Sequence, residues 1–237
     1  MAIGIIGAME SEVAGLIAQL SHSILTEAAG LKFYQGRLVN HPVVVVQSGI
    51  GKVNAAMCAQ ILIDRFRASA LINTGVAGGV NPSVAIGDVV IATSAVHHDF
   101  DVTAFDYEPG TIPGMETSSF PADPELQDIA AKAAHTILGA GRTHRGVIVS
   151  GDQFIANSER KRRLNQTFNA LCAEMEGAAV AQVAYLNRIP YCIIRIVSDQ
   201  ADASAPEDFG SFVAQIVPKL NQIVLEIVRA YSDCSSR

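Results

Sequence analysis

Ile3-Gly4-Ile5-Ile6-Gly7-Ala8-Met9-Glu10-Ser11-Glu12 opens the chain as an apolar run that stops at a glycine and turns acidic. Beyond it, Val13, Leu16, Ile17 and Leu20 recur at helical spacing. A buried strand at residues 3–7 handing over to an amphipathic helix at residues 10–20 is the unit from which α/β folds are wound. The unit recurs. Residues 43–47 read as a strand, and the helix at residues 52–66 aligns Val53, Met57, Ile61 and Leu62. Further strands are predicted at residues 71–74, 88–92, 147–150 and 191–198, and further helices at 123–138, 158–166, 176–187 and 209–231. Asp123 suits an N-cap and Gly139 a helix stop. Pro218 is expected to kink the last helix. Residues 32–39 and 43–47 flank Asn40-His41-Pro42, a hairpin signal. The expected fold is α/β, with a largely parallel sheet made mixed by that hairpin.

The chain has 237 residues, of which 49% are hydrophobic, and a mean hydropathy of +0.29. A chain of this length buries roughly 70–75% of its unfolded surface. Its prolines are scattered and it has no Gly/Ser-rich linker and no repeat, so one domain over residues 1–237 is expected. A net charge of −6 and a pI of about 5.5 argue against nucleic acid or an anionic membrane as partner. Arg160-Lys161-Arg162-Arg163 reads as a solvated helix face. Cys58, Cys172, Cys192 and Cys234 form no CxxC pair or zinc pattern, which fits reduced thiols. The apolar start has no basic segment before it, so no signal peptide is read and a cytoplasmic location is expected. Residues 68–87 carry no charge, but Asn73, Thr74, Asn81 and Pro82 make them too polar and broken for a membrane span. They read as a buried strand followed by a glycine-rich turn. Residues 232–237 are expected to fray.

Carboxylates follow apolar runs at three places: Glu10 and Glu12, then Glu174 and Glu176 in Ala173-Glu174-Met175-Glu176-Gly177, then Asp199 after Ile193-Ile194-Arg195-Ile196-Val197-Ser198. Ligands of open α/β sheets bind at the carboxyl ends of strands. One acidic rim is therefore expected, suited to acid–base work on a neutral organic substrate. Glu176, at a helix start, should be held ionised by the helix dipole, and an ionised carboxylate can accept from two hydroxyls. Asp199 ends an apolar strand, where desolvation should keep a proton on it and suit it to a general acid. Glu12, placed on the first loop, is the complementary base. Arg195 needs a buried partner, with Glu12 and Glu174 as candidates.

Other chemistries fit less well. Gly49-Ile50-Gly51-Lys52 lacks P-loop spacing and Thr74-Gly75-Val76-Ala77-Gly78-Gly79 is no dinucleotide fingerprint, although both let a ligand approach the backbone closely. His97-His98-Asp99 with Asp101 could suggest a metal, but adjacent strand residues point to opposite faces. No GxSxG elbow is present.

Gly7-Ala8-Met9-Glu10-x-Glu12, Ser48-Gly49-Ile50-Gly51-Lys52-Val53-Asn54-Ala55, Asn73-Thr74-Gly75-x-Ala77-Gly78-Gly79, His98-Asp99-x-Asp101-Val102-Thr103-Ala104-Phe105, Ser150-Gly151-Asp152-x-Phe154, Glu174-Met175-Glu176 and Ser198-Asp199 occur in that order. Together they resemble the bacterial 5′-methylthioadenosine/S-adenosylhomocysteine nucleosidases of the nucleoside phosphorylase superfamily, over residues 3–212. The resemblance implies a three-layer α/β/α sandwich and hydrolysis of the bond between adenine and ribose, with no metal or organic cofactor. It implies Glu12 as the base for water, with Arg195 helping to position that water. Asp199 would be the acid at adenine N7, oriented by Ser198. Glu176 would hold the ribose hydroxyls, with Met175 against the sugar. Phe154 would stack on adenine and the Ile155 backbone read its edge. Met9, Ile50 and Phe209 would wall the 5′-alkylthio group, and Val76, Ala77, Gly78 and Glu174 complete the pocket. The family forms homodimers, which implies that Val102, Phe105 and Pro113 reach the neighbour's pocket. Residues 201–209 would form a lid.

Superfamily phosphorylases place an arginine after the first strand, where this chain has Glu10 and Glu12, and two carboxylates would repel phosphate. Many family members carry serine where this chain has Val76. With Gln153, that resembles a branch that also cleaves 6-amino-6-deoxyfutalosine in menaquinone synthesis. A nucleoside sensor without turnover is the non-enzymatic alternative.

Overall fold

In the computed structural model, which describes residues 2–234, the opening run is strand β1 (Ala2–Gly7) and the acidic segment starts helix α1 (Glu10–Ile17). Helices cover both faces of the sheet at β1, so the strand is a continuous apolar run rather than an alternating one. Strands β2 (Ser21–Ala28), β3 (Leu31–Leu38) and β4 (His41–Gln47) form an antiparallel meander, and β4 returns beside β1 in parallel. β2 escaped the sequence reading because it is exposed along nearly its whole length and shows no apolar period.

Helix α2 (Lys52–Asp64) leads into β5 (Ala68–Gly79), and β6 (Val89–His97) and the short β7 (Ser119–Pro121) follow. α3 (Pro124–Leu138) begins as expected: Asp123 accepts a hydrogen bond from Leu126 N at 2.9 Å, and Gly139 ends the helix at a φ of +86°. Then come β8 (Thr143–Ser150), α4 (Ser158–Phe168), β9 (Ala170–Glu174), α5 (Gly177–Asn187), β10 (Tyr191–Asp199) and α6 (Ala205–Cys234). Residues 235–237 of the tail expected to fray lie outside the described residues. α6 runs on through Pro218.

One face of the sheet is covered by α2 and α5, which bury Ala55, Cys58, Leu62, Val180 and Ala184. The other is covered by α1, α3 and α6, which bury Val13, Leu16, Leu126, Ala130, Leu220 and Val224. The arrangement is the three-layer α/β/α sandwich with a mixed sheet. One feature had no local signal: the sheet closes on itself. β5 pairs with β1 and β10 in parallel and, at its far end, with β9 in antiparallel register. β10 pairs with β6, β6 with β8, and β8 with β9, so these strands form a ring through β5.

Two expectations are corrected, and a third gains its secondary structure. The glycine-rich turn after residue 74 is strand: β5 runs through Gly79. Glu12 is not on a loop but in the first turn of α1. The segment expected as a lid is a short turn followed by helix, because α6 starts at Ala205 and already includes Phe209. Among the described residues, no helix is long and apolar enough to cross a membrane.

Candidate active site

The closed end of the sheet gathers the acidic strand ends. Gly78 lies in register with Asp199 on one side and Ala173 on the other, and Ser150 is in register with Glu174. A cavity opens there, lined by Glu12, Glu174, Glu176, Ser198 and Asp199, by Met9, Ile50, Val76, Ala77 and Gly78, and by Phe154, Ile155, Met175 and Phe209. Ala8, Gln153 and Ala173 line it as well. Arg195 does not. It is fully buried behind the cavity wall. Val102, Phe105 and Pro113 are not in this chain's cavity either; Phe105 stands 75% exposed on a single 3-10 turn.

Glu12 occupies the third position of α1, where it completes the carboxylate half of a capping box. Its Oε2 accepts from Ala8 N at 2.8 Å and Met9 N at 2.9 Å, and its Oε1 accepts from Val76 N at 3.0 Å. Burial nevertheless raises its proton affinity above that of an ordinary glutamate, against the pull of those donors and of the Arg195 charge. A buried carboxylate poised to take a proton suits a general base.

The glycines of β5 are explained by the carboxylates that stand on them. A Cβ at Gly75 would lie 2.6 Å from Glu12 Oε1, and one at Gly78 would lie 2.8 Å from Asp199 Oδ1. Asp199 Oδ1 accepts from Ala201 N at 2.8 Å, and Ser198 Oγ donates to its Oδ2 at 2.9 Å.

Arg195 resolves its choice of partner in favour of Glu174. Its Nη2 lies 2.5 Å from Glu174 Oε2 and 2.5 Å from Asn73 Oδ1, and its Nη1 donates to the Asn73 and Ile194 carbonyls. Glu174 also accepts from Ser150 Oγ and from the Glu176 and Gly177 backbone N–H groups. Burial alone would raise the Glu174 pKa, but the guanidinium and these donors overcome it and hold the group below the usual range. Glu174 is thus a buried anion whose oxygens are taken up by the protein, and Arg195 reaches Glu12 only through its charge. Asn73 and Ser150 complete this network; both open motifs quoted from the sequence, but neither was given a role there. The one available signal was a polar residue at the end of an apolar run.

Glu176 caps α5 and accepts from Gly51 N at 2.7 Å. The helix dipole was expected to keep it ionised. Burial, reinforced by the neighbouring Glu174 charge, wins instead and pushes it up to about 7. Unfolded, this group releases its proton near 4.5; folded, it holds the proton until about 7. Between these values the native state binds more protons, so stability falls as pH rises through that window. Glu176→Gln should flatten the slope there and raise the stability of the empty protein at pH 8 by up to ~3 kcal/mol, at about 1.36 kcal/mol per unit. Glu12, raised in the same direction, leaves part of the slope in place. Glu174 acts elsewhere, since its contribution is lost only as pH falls through its lowered pKa. Denaturant unfolding from pH 4 to 8 measures this; a slope unchanged in the variant would contradict the assignment.

Phe154 and Phe209 meet edge to face with ring centroids 6.0 Å apart at the cavity mouth. His97 Nε2 pairs with Gln182 Oε1 at 3.0 Å, and Asp99 pairs with Lys52. Among the described residues no group of three or more His, Cys, Asp or Glu side chains could hold a metal ion. Cys58, Cys172 and Cys192 are buried free thiols away from the cavity lining.

The family model of the phosphorylase superfamily matches residues 2–229. The 5′-methylthioadenosine/S-adenosylhomocysteine nucleosidase of Tolumonas auensis is 42% identical over 232 residues, covering 94% of this chain and 100% of that protein. The crystal structure of the nucleosidase of the same name from Neisseria meningitidis, in complex with methylthio-immucillin-A, superposes with a TM-score of 0.92 at 39% identity, covering 97% of this chain and 99% of that one. A futalosine hydrolase mutant of Helicobacter pylori superposes with a TM-score of 0.92 at 31% identity, covering 97% of this chain and 99% of that one. With near-complete coverage in both directions, and with Glu12, Glu174, Glu176 and Asp199 of its ordered motifs gathered on one cavity, the chain belongs to the 5′-methylthioadenosine/S-adenosylhomocysteine nucleosidases of the phosphorylase superfamily.

Proposed function

We propose that this protein hydrolyses the N-glycosidic bond of 5′-methylthioadenosine and S-adenosylhomocysteine, releasing adenine and the thioribose. The observation that carries the reading is the convergence of buried Glu12, Glu176 and Asp199 on one cavity with Phe154 at its mouth. Adenine lies against Phe154 with its edge toward the Ile155 backbone, and Asp199, held by Ser198, delivers a proton to N7. The C1′–N9 electron pair leaves with the base, and positive charge develops on the sugar as in glycoside cleavage. Glu12 takes a proton from the attacking water, whose oxygen bonds to C1′. Glu176 accepts from the ribose hydroxyls beside Met175, and its proton must leave before it can accept from both. Met9, Ile50 and Phe209 surround the 5′-thioether.

Water is favoured over phosphate because carboxylates line the cavity and, among the described residues, no cation lines it; the nearby Arg195 lies behind the wall and is paired with Glu174. Exposed Ile50, Val53, Phe105 and Tyr107 support a homodimer in which Val102, Phe105 and Pro113 complete the partner's 5′ pocket. Val76 and Gln153 on the cavity wall, with the likeness to the H. pylori futalosine hydrolase, support a second substrate, 6-amino-6-deoxyfutalosine.

The test is adenine release from methylthioadenosine in phosphate-free buffer, followed by chromatography. The expected products are adenine and free methylthioribose. Adenine release that depends strictly on added phosphate would overturn the water mechanism and the role of Glu12.

A further inference from the structure

Three segments distant in sequence close into a ring of hydrogen bonds beside the cavity. Lys52, the first residue of α2, places Nζ 2.5 Å from Asp99 Oδ1. The other oxygen, Asp99 Oδ2, accepts from Asp152 N at 2.9 Å. Asp152 Oδ1 in turn accepts from Lys52 N at 2.8 Å, which returns the ring to its start. The ring joins the turn before α2, the segment after β6 and the loop after β8.

Two of these segments also carry cavity residues. Gly51, next to Lys52, donates to Glu176 Oε1, and Ile50 before it lines the cavity. Phe154, two residues after Asp152, lines the cavity as well. The packing leaves no slack. Gly51 has a φ of +99°, and a Cβ on it would lie 3.0 Å from Asp152 Oδ1. A Cβ on Gly151 would lie 2.5 Å from His98 Nε2 and 3.0 Å from Asp99 Cγ. α2 has no side-chain cap of its own; Glu176 and Asp152 take up its first N–H groups instead.

We propose that Lys52, Asp99 and Asp152 are positioning residues: a clamp that fixes the turn before α2 and so aims the free lone pairs of Glu176 at the sugar hydroxyls. The proposal rests on the reading of Glu176 as the sugar carboxylate. The Lys52–Asp99 pair is partly buried, so its loss costs some stability, which a melting curve on each variant measures. The ring's main effect is on the site, because displacing a positioning group by about 1 Å can cost up to about 10²-fold in rate or affinity.

The test compares adenine release from methylthioadenosine and from its 2′-deoxy analogue by the wild type, Lys52→Met and Asp99→Asn. In both variants KM for the ribonucleoside should rise about tenfold, within the range for a misplaced positioning group. kcat should change little and the 2′-deoxy analogue should be much less affected, so the preference for ribose shrinks. The double variant should be no worse than either single one, as expected for residues of one network. A wild type that prefers ribose and variants that keep this preference would overturn the clamp, as would an equal loss on both substrates. A wild type with no preference for ribose would overturn the reading of Glu176 itself, and the clamp's sugar role with it.

Discussion

Asp199→Asn should lower kcat for adenine release by ~10²–10⁴, the usual worth of a positioned general acid. The replacement is close to isosteric. The amide oxygen can still accept from Ala201 N, and the Ser198 hydroxyl can turn from donor to acceptor for the amide nitrogen, so both hydrogen bonds survive. What is lost is the transferable proton. Adenine is a poor leaving group as an anion, and Asp199 is the acid that stands over Gly78 on the cavity wall. KM should change little, since an amide occupies the same volume. Single-turnover kinetics with a melting curve alongside checks this. Near-normal turnover by a folded variant would remove Asp199 from the role of acid.

Glu12→Gln should lower kcat by a similar ~10²–10⁴, because water then meets no base. Here the structural cost is not negligible. One amide oxygen can serve Ala8 N and Met9 N as Glu12 Oε2 does, but the amide nitrogen then faces Val76 N, donor against donor. An unpaired buried donor costs about 1–3 kcal/mol. Some of that is returned, because the wild-type carboxylate is itself penalised by burial. The expected result is a folded, modestly less stable protein that binds substrate and barely turns it over. Isothermal titration with methylthioadenosine, followed by a chromatographic assay for adenine, separates the two effects. Rapid turnover by this variant would move the water-activating role elsewhere.

The carboxylates that line the cavity were legible in the sequence because carboxylates standing alone at the ends of apolar runs are local patterns. Glu12, Glu176 and Asp199 fall on one cavity because strands β1, β9 and β10 all pair with β5. The glycines of β5 were legible as sites of close approach but were assigned to a turn. Their partners turn out to be Glu12 and Asp199, and no pattern within one segment shows what stands over a missing side chain. β2 and β7 were silent for a related reason: an exposed edge strand and a three-residue bridge carry no apolar period.

The sequence by itself determined the α/β alternation, the mixed sheet and the identity of the acidic residues, since each depends on residues a few positions apart. Only the tertiary structure decided the ring closure of the sheet, the pairing of Arg195 with Glu174 rather than Glu12, and the upward shift of the Glu176 pKa. Each of these depends on how far a charge is removed from water and which distant group meets it there. Desolvation and long-range pairing are properties of the packed chain, and the order of residues along it does not display them.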